Sequence, residues 1–427
     1  MKLNFKVISL AALVVATSVG MVLGKIEGNT ASIQSFPATV CPGNLIDGST
    51  TDVLPNSNIQ GASIPNSQKK LGTIGSSSLV TKKPLLIDGG KVTSIAISRG
   101  ANGSLAAVNC SISDGNDWFI GGTSSVSSKG LLSLVNSGLS AAQVDIQIYS
   151  SKAASVLSKT VPANSSVDIN LDSLAPGEDA IAVNVLTRSG RVSPFMIDSR
   201  KQGLRAVGSD FVATAASPSK LVIIPNIPKI STKSGGKQII RVVVPGNQSA
   251  TLKATVFSSD GSFAPIGLDG ANIPSASVKD IVFSPIVGDS SFALRLESDV
   301  PIGASVLSAF SGDFLWSTSA APISNTALQV GGFAPLIRAF GSKINLELKL
   351  IDITGKKNSI NLTGTDSVAY RPKKPLLRIE FSANEQNNFA SLTLNSGSGV
   401  AQLPVISGAH LERSDLPRSD ARTINRG

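Results

Sequence analysis

The feature that most constrains this chain is a strand that recurs. Residues 142–151, Ala-Gln-Val-Asp-Ile-Gln-Ile-Tyr-Ser-Ser, overlay residues 250–259, Ala-Thr-Leu-Lys-Ala-Thr-Val-Phe-Ser-Ser, at an offset of 108. Apolar side chains hold every second place, polar ones alternate with them, and an aromatic ring closes each copy. Such period-two alternation belongs to a strand with one face in a core and the other in water. A third copy lies at Leu346, Leu348, Leu350 and Ile351, followed by Gly355 where the second copy has Gly261. Downstream, Ser291-Phe292-Ala293-Leu294 resembles Asn388-Phe389-Ala390-Ser391, and Leu296 has a counterpart in Leu394. Matched strands in the same order point to duplicated units. Units of this length exceed a solenoid turn or a propeller blade and match a β-sandwich.

At 427 residues the chain suits three or four such units of about 100 residues each. Aromatic residues make up only 4% beside 39 Gly and 22 Pro, so Val, Ile, Leu and Ala must fill the cores between many turns. The expected fold is all-β, with tandem immunoglobulin-like β-sandwich units at 126–216, 217–325 and 326–408 after an N-terminal signal or anchor segment. Residues 25–125 read as a linker followed by an irregular, disulfide-pinned β region. The charged stretch 409–427 has almost no apolar content and reads as a disordered polar tail.

Residues 1–6 carry two lysines and no acid, and residues 7–24 form an uncharged run of 18 before Lys25. This is an export signal. Val22 and Gly24 are small enough for a cleavage site, while the run also reaches the lower limit for spanning a bilayer. Residues 1–24 therefore read either as a removed signal peptide or as a retained membrane anchor. Cys41 and Cys110 are the only cysteines. In an oxidising exterior, two cysteines without a spare form one disulfide. Closing a loop of about 70 residues is worth about 4 kcal/mol in the chain-entropy model.

Removing Lys2 and Lys6 from the 38 basic residues leaves 36 against 28 acidic ones. The basic residues are scattered, with Lys69-Lys70, Lys82-Lys83, Lys356-Lys357 and Lys373-Lys374 as isolated pairs in turns. No compact nucleic-acid footprint is visible. A mild attraction to anionic wall polymers or lipid head groups is compatible with this balance, as is a surface that merely confers solubility.

Catalytic equipment is sparse. The single histidine, His410, stands at the edge of the polar tail, and no G-x-S-x-G elbow supplies a nucleophilic serine. Ser-Gly-Gly-Lys at 234–237 lacks the preceding glycine of a phosphate loop and reads as a turn. Asp114-Gly115-Asn116-Asp117 lacks the alternating ligands and distal Glu of a calcium loop. The nearest carboxylate pairs are Glu178 with Asp179 and Glu297 with Asp299, each at a turn or strand edge. Neither a cofactor site nor a metal site is expected. Trp118 and Trp316, each ahead of a Ser/Thr segment, are assigned to plugging a core or an interdomain contact, with ligand stacking the lesser alternative.

Several features in order resemble a family of uncharacterised exported actinobacterial proteins: the export signal, Cys41-Pro42, Cys110, and Asp117-Trp118-Phe119-Ile120-Gly121-Gly122. Leu134-Val135-Asn136 and the alternating Val144-Asp145-Ile146-Gln147-Ile148 complete the set. The resemblance spans about 37–408. It implies an exported location and a repeated β architecture, and no catalytic residues. The chain is accordingly expected to be non-enzymatic, an envelope scaffold or binding protein acting through β-sandwich surfaces. The alternatives are a wall-polysaccharide-binding module and an accessory subunit of a membrane enzyme of envelope synthesis. Its expected partner is an envelope protein or an anionic wall polymer, with membrane contact through residues 7–24 if these are retained.

Overall fold

The computed structural model describes residues 39–406, apart from 47–48, 56–58, 66–71, 75–78, 89–93, 101–102, 112–114, 126–127, 153, 204, 232–235 and 398. The signal segment, His410 and the 409–427 tail lie outside the described residues. Four units follow one another. Unit I holds β1 (Thr39–Cys41), β2 (Ser49–Pro55), β3 (Ile59–Ser63), β4 (Gly72–Ile74), β5 (Leu79–Val80), β6 (Leu85–Asp88), β7 (Ser94–Gly100) and β8 (Leu105–Asn109). Unit II holds β9 (Asn116–Ile120), β10 (Leu131–Asn136), β11 (Ala142–Tyr149), β12 (Ser155–Val161), β13 (Ser165–Asn170), the short helix α1 (Leu171–Leu174), β14 (Ala182–Ser189), β15 (Val192–Gln202) and β16 (Arg205–Val212). Unit III holds β17 (Ser219–Pro228), β18 (Lys237–Val244), β19 (Ala250–Ser258), β20 (Gly261–Phe263), β21 (Asn272–Ile273), β22 (Ser277–Phe283), β23 (Ser291–Ala309) and β24 (Phe314–Thr318). Unit IV holds β25 (Thr326–Phe333), β26 (Leu336–Asp352), β27 (Lys357–Tyr370), β28 (Leu376–Ala383), β29 (Phe389–Ser396) and β30 (Gly399–Pro404).

One antiparallel plan repeats in all four. With the strand roles lettered a to h in chain order, one sheet runs d-c-f-a and the other e-b-g-h. Unit I builds them as β4-β3-β6-β1 and β5-β2-β7-β8, and unit II as β12-β11-β14-β9 and β13-β10-β15-β16. In unit III the long β23 supplies f with its first half, against β19, and g with its second, against β18. In unit IV β26 is b and then c, and β27 is d and then e, with a register break between Gly341 and Ile344 where β26 passes from one sheet to the other. Strand sharing of this kind makes the corners of sandwiches whose sheets cross steeply. The b–e and c–f pairings are those of an immunoglobulin sandwich. Here the first strand caps the c–f sheet and the last two cap the b–e sheet.

The recurring strand of the sequence is role c each time. β11 buries Val144, Ile146 and Ile148; β19 buries Leu252, Ala254 and Val256; the second half of β26 buries Leu346, Leu348 and Leu350. The downstream match is different, because Ser291–Leu294 opens an f strand whereas Asn388–Ser391 opens a g strand. Two further differences concern the beginning of the chain. β9 pairs with β14, with Phe119 opposite Val183, so it belongs to unit II and not to the region before 126. The described residues between Thr39 and Cys110 are not irregular: they form a fourth unit on the common plan, with the Cys41–Cys110 disulfide joining the end of a to the end of h.

Each a strand lies against the b–g sheet of the next unit. Val40 of β1 packs on Val135 and Phe195 of unit II. Trp118 and Ile120 of β9 pack with Val243 and Val278 of unit III, and Ile223 of β17 packs with Phe340 and Phe389 of unit IV. Unit IV then returns to unit I, where Ile95, Ile97, Leu105 and Ala107 share one core with Leu328, Ile337 and Leu394. In the middle, the h strands β8, β16, β24 and β30 pack each against the next, and β30 against β8. The first and last units are therefore neighbours, and the four units form a closed cycle around an h-strand hub.

Candidate functional site

The hub is where buried charge collects. Asp313, just before β24, is fully buried. Its Oδ2 accepts the backbone N–H of Leu105 on β8 at 3.1 Å and of Val400 on β30 at 2.9 Å, and its Oδ1 accepts that of Phe314 at 2.9 Å. One carboxyl thus ties together the starts of three h strands from three units. Burial outweighs these bonds and raises its pKa to about 6.

Asp198 on β15 and Asp210 on β16 are cross-strand neighbours, both buried. Oδ2 of Asp198 accepts Arg200 Nε and the Trp316 indole N–H, each at 2.9 Å, while Oδ2 of Asp210 accepts the Trp316 backbone N–H at 2.8 Å. Oδ1 of each has no hydrogen-bond partner among the described residues. Desolvation pushes Asp210 well above the carboxylate range, and the charges of Asp313 and Asp198 push the same way.

The joints between units use arginine. Arg241, buried on β18, donates to the carbonyls of Gly122, of Ile181 at 3.2 Å and of Asp179 at 3.0 Å in unit II, and forks onto Asp280 of its own unit at 2.8 and 2.9 Å. Its guanidinium carbon stands 4.8 Å from the centre of the Trp316 ring, and that of Arg200 stands 5.6 Å away. Arg338 on β26 serves the next joint in the same way, reaching back to Asp289 and Ser291 at 2.9 Å each. Both tryptophans lie at the joint between units II and III: Trp316 in the core, and Trp118 stacked on Tyr149 at 5.7 Å. Neither ring offers a face to a ligand, since they are 1% and 6% exposed.

The carboxylate pairs singled out in the sequence are engaged elsewhere. Glu178 is bound by Lys152 at 2.8 Å and by Ser151, contacts that hold its pKa below the ordinary range. Its neighbour Asp179 contributes a backbone carbonyl to Arg241. Glu297 pairs with Arg295 at 2.9 Å, and Asp299 accepts the backbone N–H of Thr251, which lowers its pKa. A general acid needs the opposite shift. Gly236 and Lys237 lead into β18, with Ser234 and Gly235 outside the described residues. Asn116 and Asp117 belong to β9, where Asn116 accepts from Asn184 at 2.7 Å. Among the described residues no three His, Cys, Asp or Glu side chains converge as a metal site. A hollow of about 30 Å³ beside the hub, lined by Phe119, Met196, Val212 and Pro404, has room for about one water molecule. What this arrangement does chemically is hold units together.

Asp198, Asp210, Asp313, Arg241 and Arg338 are not anticipated by the sequence reading. The one available signal was an acid set within apolar neighbours, as in Asp313-Phe314-Leu315-Trp316.

A family model matches residues 88–368, more than half of the chain and all of the joints that Arg241 and Arg338 make. The chain belongs to the family of unknown function DUF5719. No curated protein matches it. Among solved structures, the α-L-rhamnosidase of Streptomyces avermitilis, determined with L-rhamnose, is 9% identical with a TM-score of 0.14, over 81% of this chain and 53% of that enzyme. This DUF5719 chain thus spans about half the enzyme's length. A tetra-tandem repeat from the extending region of a large adhesion protein is 13% identical with a TM-score of 0.12, over 86% of this chain and 97% of the repeat structure. Likeness at this level carries no argument about fold or activity for the DUF5719 chain.

Proposed function

We propose that this DUF5719 member is a non-enzymatic, exported protein of the cell envelope, of actinobacterial type, that acts as a scaffold through the outer surfaces of its four-unit cycle. The observation that carries this reading is the use of its buried charges. Asp313, Arg241 and Arg338 each make at least two hydrogen bonds to neighbouring units beside those within their own, as structural groups do and as catalytic groups, which need access to a substrate, do not. Location is supported by the export segment and by the Cys41–Cys110 bridge, since structural disulfides persist outside the reducing cytosol. The test is incubation of the purified mature chain with peptidoglycan and a polysaccharide panel. No turnover is expected; hydrolysis that disappears on changing one carboxylate, such as Glu297→Gln, overturns the reading.

A further inference from the structure

The paired lysines of the sequence are not all isolated once the chain is folded. β26 and β27 are joined by a tight turn, Asp352-Ile353-Thr354-Gly355-Lys356, and the loop Arg371-Pro372-Lys373-Lys374-Pro375 leads into β28. Lys357 stands opposite Ile351, and Leu376 stands opposite Asp352, so the two lysine pairs flank the same end of one sheet. The positive charge of Lys374 is felt by the Asp352 carboxylate. Lys356, Lys357, Arg371, Lys373 and Lys374 are all exposed.

The acid within the turn, Asp352, is occupied. Oδ1 of Asp352 accepts the backbone N–H of Thr354 at 2.9 Å, the Thr354 hydroxyl at 2.6 Å and the backbone N–H of Lys356 at 3.0 Å. Equivalent junctions in the other units are closed differently. In unit II Lys152 meets Glu178 at 2.8 Å, and in unit III Asp260 accepts the backbone N–H of Gly288 at 2.7 Å. Of these three, unit IV alone carries five exposed cations at its turn and loop, against one acid in the same two segments. Both of its elements are stiff: the turn is pinned by Asp352 and by Gly355 at φ 83°, and Pro372 and Pro375 fix φ on either side of the lysine pair. At the apex, between the lysines, Ile353 is 57% exposed, and Leu377 is 37% exposed on the adjoining strand.

We infer that this end of unit IV is a docking surface for an anionic lipid bilayer, with Lys356, Lys357, Lys373 and Lys374 set against the head groups and Ile353 inserted at their boundary. Cations ringing an exposed apolar apex are the signature of attachment at a charged bilayer surface. A soluble polyanion would use the lysines and leave Ile353 with nothing to do. The inference rests on the envelope reading only for where such a bilayer is met.

The test uses the chain from Lys25 onward, which keeps every described strand and both cysteines but lacks the apolar segment 7–24. Sedimentation with vesicles of phosphatidylcholine alone, and of phosphatidylcholine with one third phosphatidylglycerol, is expected to show binding only to the second. Changing Lys356, Lys357, Lys373 and Lys374 to Gln is expected to weaken it at least a hundredfold, at roughly fivefold per lysine. The same loss of charge at the exposed Lys159, Lys201, Lys220 and Lys253 is expected to change it by less than tenfold. Ile353→Ser is expected to weaken vesicle binding about tenfold and to leave binding to dextran sulfate unchanged. Equal vesicle binding by the two quadruple variants, indifference to Ile353→Ser, or no binding at low ionic strength overturns the inference. None of those outcomes touches the non-catalytic reading, which fails only on turnover.

Discussion

At the scale of single residues, the chain places acids where strands are buried on both faces, and this sets its response to pH. Asp313 has a folded pKa of about 6 against about 3.9 when unfolded. The unfolded chain therefore releases this proton first as pH rises, and the contribution of Asp313 to stability falls between about pH 4 and 6, by about 3 kcal/mol in all. Asp210 is raised as well, by burial, and adds a loss of the same sign, whereas Asp145, Glu178 and Asp352, lowered by their partners, act in the opposite sense at more acid pH. The difference between wild type and Asp313→Asn isolates the group. Denaturant titrations from pH 4 to 7 are expected to show the variant gaining about 3 kcal/mol relative to wild type, and a constant difference would refute the assignment. Asp313→Ala, which leaves the Leu105 and Val400 N–H groups without their acceptor, is expected to cost about 2–5 kcal/mol at pH 4, and less toward pH 7 as the wild type loses the same titrating contribution. None of this was legible from periodicity, for a physical reason. β24 is buried at all five positions, so alternation, which reports one wet face, has nothing to report.

At the scale of elements, legibility followed exposure. The c strands announced themselves because each has a core face and a solvent face, as in β11 with Val144, Ile146 and Ile148 inside and Gln143 in water. The apparent second match failed because Phe-Ala after a polar residue fits any strand entry, and pairing alone distinguishes an f strand from a g strand. Unit I escaped notice because several of its strands are very short: β1 and β4 have three residues and β5 two, too few to show a period. Joints between elements were equally hidden, since a lone arginine in Gln238-Ile239-Ile240-Arg241-Val242 reads as an outward residue. Arg241→Met is expected to cost about 3–5 kcal/mol, because it strands the Gly122, Ile181 and Asp179 carbonyls together with Asp280. Thermal unfolding checks this, and a loss under 1 kcal/mol would mean that water replaces the guanidinium. At the hub, a Cβ on Gly399 would sit 2.5 Å from the Gly103 carbonyl oxygen and 2.9 Å from the Leu105 backbone nitrogen. Backbone cannot move aside as a side chain can, so Gly399→Ala is expected to lower stability by about 1–3 kcal/mol, read from the denaturant midpoint.

At the scale of the whole molecule, the question is whether four units of one plan behave as four domains. Tandem sandwiches on a string keep their own cores and unfold one by one, whereas a closed cycle shares its cores. Here Ile95, Ile97, Leu105 and Ala107 of unit I complete the core of unit IV, and Leu307, Phe314 and Trp316 of unit III complete that of unit II. Removing any unit would expose two apolar faces at once, which is the situation in which independent folding fails. Calorimetry of the chain from Lys25 onward is therefore expected to give one cooperative transition, with calorimetric and van't Hoff enthalpies equal. The disulfide bears on the same point. Cys41 and Cys110 fasten β1 to the end of β8, and β8 is the strand on which β30 closes the cycle. If the cycle is a single unit, replacing both cysteines with Ala lowers the whole transition, by about 2–5 kcal/mol, without splitting it. If the units are independent, the same change melts unit I early and leaves a second transition at the original temperature. Two resolved peaks in the Cys41→Ala, Cys110→Ala chain would show that the shared cores of units I and IV do not couple them.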